Sequence, residues 1–210
     1  MQMLMNEFIV AVHENAVKHG FWDDRDSHTI EEILALVHAE WSEALEEYRA
    51  NRPMVWYKVG DDCCTCEKRI FSNAKLCKAM TCTASHKPEG IAMELIDGVL
   101  RIFDYMGNEE VELTFETLED FMTMESRAQE LLDVSLPCLI ANLHLETSRA
   151  YVCLMNSSSG ESIRTGVAHL LKVAYVVCNW IRIQGYDPEK LLLEKHEYNK
   201  TRPYKHGKRC

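Results

Sequence analysis

Hydrophobic residues recur every three or four positions along most of the chain, the spacing of one face of an α-helix. Stretches that contain glycine or proline separate these segments. The pattern predicts helices over residues 2–19, 31–49, 88–106, 116–133, 135–155 and 162–184, and a last helix that Asp187 caps and Pro188 begins. We expect Gly20 to end the first helix and Gly107 to close the helix over 88–106. The predicted fold is therefore all-α, an antiparallel bundle of helices.

Two of these helices carry pairs of acids beside the apolar stripe. Glu40 and Glu43 flank Trp41 in the helix over 31–49, and Glu94 and Asp97 lie in the helix over 88–106. Acids three positions apart lie on one side of a helix, about a turn apart. Acids at the edge of a core are partly desolvated and repel one another unless a cation lies between them. Four such carboxylates suit Mg²⁺, or Mn²⁺; the alternative is two solvated helix faces.

A second metal site is suggested by the cysteines of residues 51–87. Cys63 and Cys66 form a C-x-x-C pair, and Cys77 and Cys82 could supply the other two thiolates of a tetrahedral Zn²⁺ site. Cys64 competes with Cys66, and the alternative is a surface loop that contains cysteines. Because no secretion signal precedes the nine cysteines, we expect reduced thiols and a cytoplasmic protein.

Residues 135–183 resemble a degenerate copy of the first acidic half. When His38 is aligned with His144, the matching residues are Ala35 with Ala141, Glu40 with Glu146, Ser42 with Ser148, Ala44 with Ala150, and Gly90-Ile91-Ala92 with Gly166-Val167-Ala168. The remaining acids are lost, because Arg149 stands for Glu43, Leu170 for Glu94 and Val173 for Asp97. The distance from histidine to glycine is 52 residues in the first half and 22 in the second, so residues 51–87 are interpreted as an insertion.

The chain is thus predicted to form a single helical domain over 1–210. Residues 1–113 are its metal-binding half, residues 114–184 its degenerate half and residues 185–210 a basic tail. The tail offers hydrogen-bond donors suited to phosphate and base contacts, namely Lys195, Asn199, Lys200, Arg202 and Tyr204. The alternative for this segment is a disordered basic tail.

Two further residues are candidates for the site. Arg101 lies one turn beyond Asp97 and could hold the acids, contact a phosphate, or form an ion pair within its own helix. Trp22 follows the first helix and is either a core residue or an aromatic platform near a ligand.

Charge and hydropathy exclude some classes of partner. The formal net charge of −10 argues against nonspecific binding to DNA or RNA, so free nucleotides with bound cations are the expected partners rather than a nucleic-acid polymer. No basic region followed by an apolar core and a cleavage site begins the chain, and no apolar run approaches the length of a membrane span. We therefore expect no membrane partner.

Together these stretches resemble the MazG-like family of all-α nucleoside triphosphate pyrophosphohydrolases, the superfamily that also contains the dimeric dUTPases. The resemblance rests on Gly20-Phe21-Trp22, on residues 38–49, on residues 87–97 with Arg101-Ile102-Phe103-Asp104, and on residues 195–208. These segments cover under half of the chain. The chain departs from the family in the repeat that precedes the tail and in the Cys-rich insertion.

The resemblance implies cleavage of a (d)NTP between the α- and β-phosphates, which yields the (d)NMP and pyrophosphate. It implies that Glu40, Glu43, Glu94 and Asp97 hold Mg²⁺, that the tail residues contact substrate and that Trp22 is a base or sugar platform. Glu43 is our choice for the acid that positions or deprotonates the attacking water. The two halves are expected to pack as a pseudo-symmetric pair, and a homodimer through the remaining apolar faces is also expected.

Two other functions fit the same sequence. One is a nucleotide-binding sensor that keeps the pocket and regulates a partner without hydrolysis. The other is a zinc-stabilised interaction protein in which the helices are a scaffold. Alanine at Glu40 and Asp97 should abolish hydrolysis but leave a scaffold function intact, and binding of a nucleotide without turnover would indicate the sensor.

Overall fold

A computed structural model describes residues 4–23, 29–59, 70–71, 86–114, 116–117, 134–155 and 160–207. The helices within these residues are α1 Met5–Lys18, α2 Ile30–Arg49, α3 Ile91–Asn108, α4 Leu136–Met155, α5 Gly160–Ile183 and α6 Pro188–Asn199. The strands are β1 Trp56–Val59, β2 Ile70–Phe71 and β3 His86–Glu89, and a 3₁₀ turn covers Tyr204–Gly207. The prediction of a mainly helical protein is confirmed.

Helix α3 lies at the centre of the bundle. It packs against α1, α2, α5 and α6, and thirteen of its 18 residues are buried. A helix that is apolar on nearly all sides is stable only when neighbours cover it all round. Its close contact with α2 depends on Gly98, where an added Cβ would lie 2.3 Å from the Trp41 ring. The buried acids of α3 are consequently surrounded by packed helices.

The sequence pattern did not predict the small sheet. Its strand order is β2-β1-β3, with both pairings antiparallel, and Trp56 pairs with Glu89 in the register of β1 and β3. Pro88, a residue that cannot donate a ladder hydrogen bond, lies in the edge strand β3. The chain then turns at Gly90, whose φ of 110° suits glycine and whose Cβ would lie 2.8 Å from the Met54 carbonyl oxygen.

This sheet corrects the predicted bounds of the second acidic helix. The helix begins at Ile91 instead of residue 88, because residues 86–89 are drawn into the ladder with β1. Gly107 does not close it, since α3 continues to Asn108 and Gly107 packs against the Cβ of His13. Of the predicted helix over 116–133, the structure describes only residues 116–117. The predicted zinc ligands Cys63, Cys66, Cys77 and Cys82 all lie outside the described residues.

The two halves of the chain meet where α2 packs on α4. The imidazole rings of His38 and His144 stack at a centroid distance of 5.0 Å and an interplanar angle of 6°, with 2.7 Å between their Nδ1 atoms. Next to them, Trp41 Nε1 donates a hydrogen bond to Thr147 Oγ1 at 3.1 Å. Both contacts join residues 106 positions apart, which is the offset of the alignment of the two halves.

Helix α5 contains a long apolar stretch. By length and composition alone, residues 161–183 could cross a membrane, with a mean hydropathy of 1.2 over the best window. In this fold 67% of that window is buried, as is usual for the core helix of a helical bundle.

Substitution of Gly98 tests the close approach of α2 and α3. We expect Gly98→Ala to lower the free energy of unfolding by about 1–3 kcal/mol, because the overlap with Trp41 outweighs the gain in helix propensity. Asn108→Ala, at the exposed end of the same helix, is the control and is expected to change stability little. Urea unfolding of both variants measures the difference; equal stabilities would contradict the packing argument.

Candidate metal and anion site

A cleft opens between α1, α2, α3 and α6. It contains about 870 Å³ of empty space, including its open mouth. Helices α2 and α3 supply the acids that the sequence predicted, while α6 and the residues after it supply part of the predicted basic tail. The cleft therefore brings together segments that are distant in the sequence.

Three carboxylates from α2 and α3 converge in this cleft. Oxygen atoms of Glu40, Glu43 and Glu94 all lie within 4.8 Å of one another. Glu40 and Glu94 are only 6% and 5% exposed, whereas Glu43 is exposed at the cleft surface. The arrangement follows from the pattern, since Glu40 and Glu43 lie one turn apart at the edge of the stripe that packs on α3. Three hard oxygen donors at these distances can coordinate a divalent cation.

Asp97 lies in the same cleft but is not part of this group of three. Its Oδ2 atom is 2.8 Å from Nζ of Lys195, which also donates a hydrogen bond to the Pro88 carbonyl at 3.0 Å. Lys195 is completely buried, and its contact with Asp97 joins α6 to α3. Of the four predicted metal ligands, three are thus brought together, and the fourth is paired with a lysine of the predicted tail.

The pKa values of the two buried acids in this group, Glu40 and Glu94, are raised. Burial raises the pKa of Glu94 to about 9, although the Lys195 ammonium partly opposes the shift. The nearby Asp97 charge raises this pKa further. Burial likewise raises the pKa of Glu40, against the opposing charge of Arg101. A bound cation would favour the ionised carboxylates, which is the condition expected of a metal site.

Arg101 holds an acid of the neighbouring helix. Its Nε donates to Glu40 Oε1 at 2.6 Å, so the ion pair joins α3 to α2 and is not formed within one helix. Of the roles considered for Arg101, the structure agrees with the one in which it holds the acids in place. Its guanidinium also lines the cleft.

Phe21, and not Trp22, lines the cleft. Trp22 Nε1 donates to Asp104 Oδ1 at 3.0 Å, and its ring lies edge-on to His13 at 5.1 Å. Trp22 also borders a second, separate pocket with Ile30. Consecutive residues in a turn point in different directions, and hydrophobic periodicity cannot decide which of the two faces a ligand. The role of Trp22 as an aromatic platform stays a prediction.

The tail residues divide into two groups. Asn199 and Arg202 line the cleft, as does His196, which the sequence analysis did not single out. Lys200 is exposed and paired with Glu197, and Tyr204 is 59% exposed. The signal for His196 was its position three residues before Asn199, on the same side of α6.

The segment after α6 folds back onto the end of α1. The Tyr204 hydroxyl donates to Asp23 Oδ2 at 2.7 Å, and the Lys205 amide donates to the His19 carbonyl at 2.8 Å. The Tyr204 ring fills the space next to Gly20, where an added Cβ would lie 1.9 Å from it. Tyr204 thus holds the tail in place and is not among the residues that line the cleft.

The matching position in the second half carries a different charge arrangement. Glu146, aligned with Glu40, contacts Arg149, His169 and Lys172 at 2.7, 2.8 and 2.9 Å. Although burial opposes it, hydrogen bonds from Lys172 and His169 lower the pKa of Glu146. Side chains of the protein therefore provide the positive charge that compensates this buried carboxylate.

Comparisons of the chain with family models, with curated proteins and with solved structures found no match.

Glu94 and Glu146, both buried, should respond in opposite ways to neutralisation. A carboxyl with a raised pKa binds more protons in the folded state, so its contribution to stability falls as pH rises from 4.5 toward 9. We therefore expect Glu94→Gln to raise the melting temperature in EDTA at pH 8 by several degrees, with little effect at pH 4.5. Mg²⁺ should stabilise the wild type at pH 8 but not this variant.

Glu146→Gln is the matched control for this experiment. Because the pKa of Glu146 is lowered, its ionised form stabilises the fold above the ordinary carboxyl range, and that contribution is lost as pH falls. Glu146→Gln should therefore lower the melting temperature at pH 8, with or without Mg²⁺. Thermal unfolding monitored by circular dichroism measures both variants; shifts of the same sign would contradict the assignment of charges.

Proposed function

We propose that this chain is an Mg²⁺-dependent nucleoside triphosphate pyrophosphohydrolase that converts a (d)NTP to the (d)NMP and pyrophosphate. The observation that carries the proposal is the convergence of Glu40, Glu43 and Glu94 within 4.8 Å, in a cleft that Arg202 also lines. A polyphosphate complexed with a metal ion needs carboxylates that bind the metal and a cationic group that binds the phosphates. The three glutamates and the Arg202 guanidinium provide these groups.

The donor set fits Mg²⁺, and Mn²⁺ equally. Glu40, Glu43 and Glu94 would hold the ion, because all three offer hard carboxylate oxygens and two of them are buried. When bound, such an ion neutralises phosphate charge and lowers the pKa of a coordinated water. The raised pKa values of Glu40 and Glu94, which burial and then neighbouring carboxylates cause, support the proposal, since a bound cation would favour the ionised forms.

Other residues are assigned to orient the acids, to bind the polyphosphate and to accept a proton. Arg101 orients Glu40, and Lys195 orients Asp97, each through a short ion pair from another helix. Arg202 is assigned to the polyphosphate, since among the described residues no carboxylate is paired with it. Glu43, the exposed member of the cluster, is assigned to accept a proton from the attacking water.

The finer description of the fold is part of the same proposal. We infer a MazG-type bundle whose second half is a degenerate copy of the first, with residues 51–87 as an insertion. Two side-chain contacts between α2 and α4 support this, because each joins positions that the alignment makes equivalent. Loss of the acids at Leu170 and Val173, now 0% and 1% exposed, leaves a single acidic site in the pair.

A nucleotide-binding sensor without hydrolysis is the second candidate. Arg101 and Lys195 already neutralise Glu40 and Asp97, so the pocket has internal counter-charges that do not depend on a metal. Such a pocket could bind a nucleotide and act on a partner. The zinc-stabilised interaction protein depends on cysteines outside the described residues and stays a prediction, as do the homodimer and the cytoplasmic location.

Pyrophosphate release distinguishes the hydrolase from the sensor. The four ribo- and four deoxynucleoside triphosphates, and oxidised or deaminated analogues, are incubated with the purified chain and Mg²⁺. We expect release from at least one of them, and a loss of roughly a hundredfold or more in kcat for Glu40→Gln and Glu43→Gln. Glu46→Gln, exposed on the same helix and paired with Arg49, is the control and should keep activity. Binding of a nucleotide without turnover would favour the sensor.

The assignment of Arg202 has its own matched control. We expect Arg202→Ala to raise KM for the triphosphate by roughly tenfold, because a charge-assisted contact to phosphate is lost. Lys200→Ala removes a cation from the same tail, but that lysine is exposed and paired with Glu197, so KM should change little. Steady-state kinetics measures both; equal effects of the two substitutions would contradict a specific role for Arg202.

A further inference from the structure

The cleft has two walls of different chemistry. Helices α2 and α3 contribute the carboxylates of Glu40, Glu43 and Glu94. The lining residues that come from α1 and the turn after it are all uncharged: Val12, Asn15, Ala16 and Phe21. One end of a bound molecule would thus contact the acids and their metal ion. The other end would contact an aromatic ring and small or apolar side chains.

Helix α6 completes the uncharged wall with two polar side chains one turn apart. The ring of His196 is 4% exposed and lies edge-on to Phe8 of α1, with 5.4 Å between the ring centroids. Asn199 is half-buried and lines the same cleft. Nε2 of His196 and Oδ1 of Asn199 each have less than 1 Å² of exposed surface and no hydrogen-bond partner.

Polar atoms in this situation are destabilising and rare in native proteins, so they call for a partner that the ligand-free chain lacks. Burial lowers the pKa of His196, and Lys200 lowers it further, so its ring is neutral at pH 7. The imidazole nitrogen can donate or accept according to tautomer, and therefore does not define its partner. The amide oxygen of Asn199 can only accept, so its missing partner is a donor. Asn199 lines the cleft, so its amide lies next to the space that a ligand would fill.

A phosphate oxygen cannot fill this role, because it is an acceptor and would repel the amide oxygen. The donors of a nucleotide are the amino or ring N–H groups of its base and the hydroxyls of its sugar. Phe21 and Val12 offer the flat and apolar surfaces on which a base packs, whereas a sugar gains little from them.

We propose that the α1–α6 wall is a nucleoside subsite in which Asn199 Oδ1 accepts a hydrogen bond from the exocyclic amino group of the base. His196 Nε2 makes the second polar contact, and the phosphates extend toward the acids and Arg202. This assignment rests on the proposed function for the identity of the ligand, and it selects amino-bearing bases over bases that present a carbonyl at this edge.

The test is a binding experiment that requires no turnover. Monophosphates that differ only in the amino group are compared by calorimetry without metal: adenosine with purine riboside, guanosine with inosine, and cytidine with pyrimidin-2-one riboside. We expect the wild type to discriminate at least one pair by roughly tenfold to a hundredfold, since loss of the donor leaves the buried acceptor unpaired. Asn199→Leu should abolish this discrimination, and Asn199→Asp, which keeps the acceptor, should retain it.

Each other result overturns the assignment. It fails if the monophosphates do not bind, if no amino pair is discriminated, or if Asn199→Leu still discriminates. It also fails if removal of the 3′-hydroxyl, and not of the amino group, weakens wild-type binding in a manner that depends on Asn199. Asn199→Leu should fold at least as stably as the wild type, because it removes an unpaired polar atom; Asn199→Ser provides the same comparison should the leucine variant fail to fold. Absence of pyrophosphate release would refute the proposed hydrolase and leave this binding result standing.

Discussion

The structure depends on the pairing of carboxylates in the cleft with cations from other helices. Glu40 of α2 is held by Arg101 of α3, and Asp97 of α3 is held by Lys195 of α6, at 2.6 and 2.8 Å. Each pair joins two helices, so the charges that form the site also join the elements that surround it. Buried ion pairs of this kind add little net stability, but the loss of one partner is costly because it leaves a charge unpaired. The arrangement thus specifies which helices meet at the cleft.

Packing at the centre of the bundle brings these charges together. Gly98 allows the Trp41 ring to lie directly on α3, and the acids Glu40 and Glu94 stand at the edges of the same contact. The close approach of the helices is therefore both a feature of the core and the reason that carboxylate oxygens from two helices lie within 4.8 Å. A shift of α2 against α3 would therefore change the spacing of these carboxylates.

The second half illustrates another solution to the same electrostatic problem. Glu146 is as buried as Glu40, but it is surrounded by Arg149, His169 and Lys172, and the pKa of Glu146 is lowered whereas that of Glu40 is raised. In the second half three side chains compensate Glu146. In the first half Arg101 pairs with Glu40, but the pKa of Glu40 stays raised, so a bound cation would further favour its ionised form.

Periodicity in the sequence was sufficient for the helices and for the side on which their acids lie, since both depend on residues within a few positions of one another. The sequence alone also predicted that Glu40, Glu43, Glu94 and Asp97 would share a site, and the first three of them converge. The start of α3 at Ile91 was decided by the β1–β3 ladder and by Gly90, which are contacts between distant segments. Likewise, the pairing of Asp97 with Lys195, the position of Phe21 in the cleft and the unpaired nitrogen of His196 depend on how α6 docks. Local pattern determines which face a side chain occupies on its own helix, but the neighbour that it meets is determined only when the helices pack.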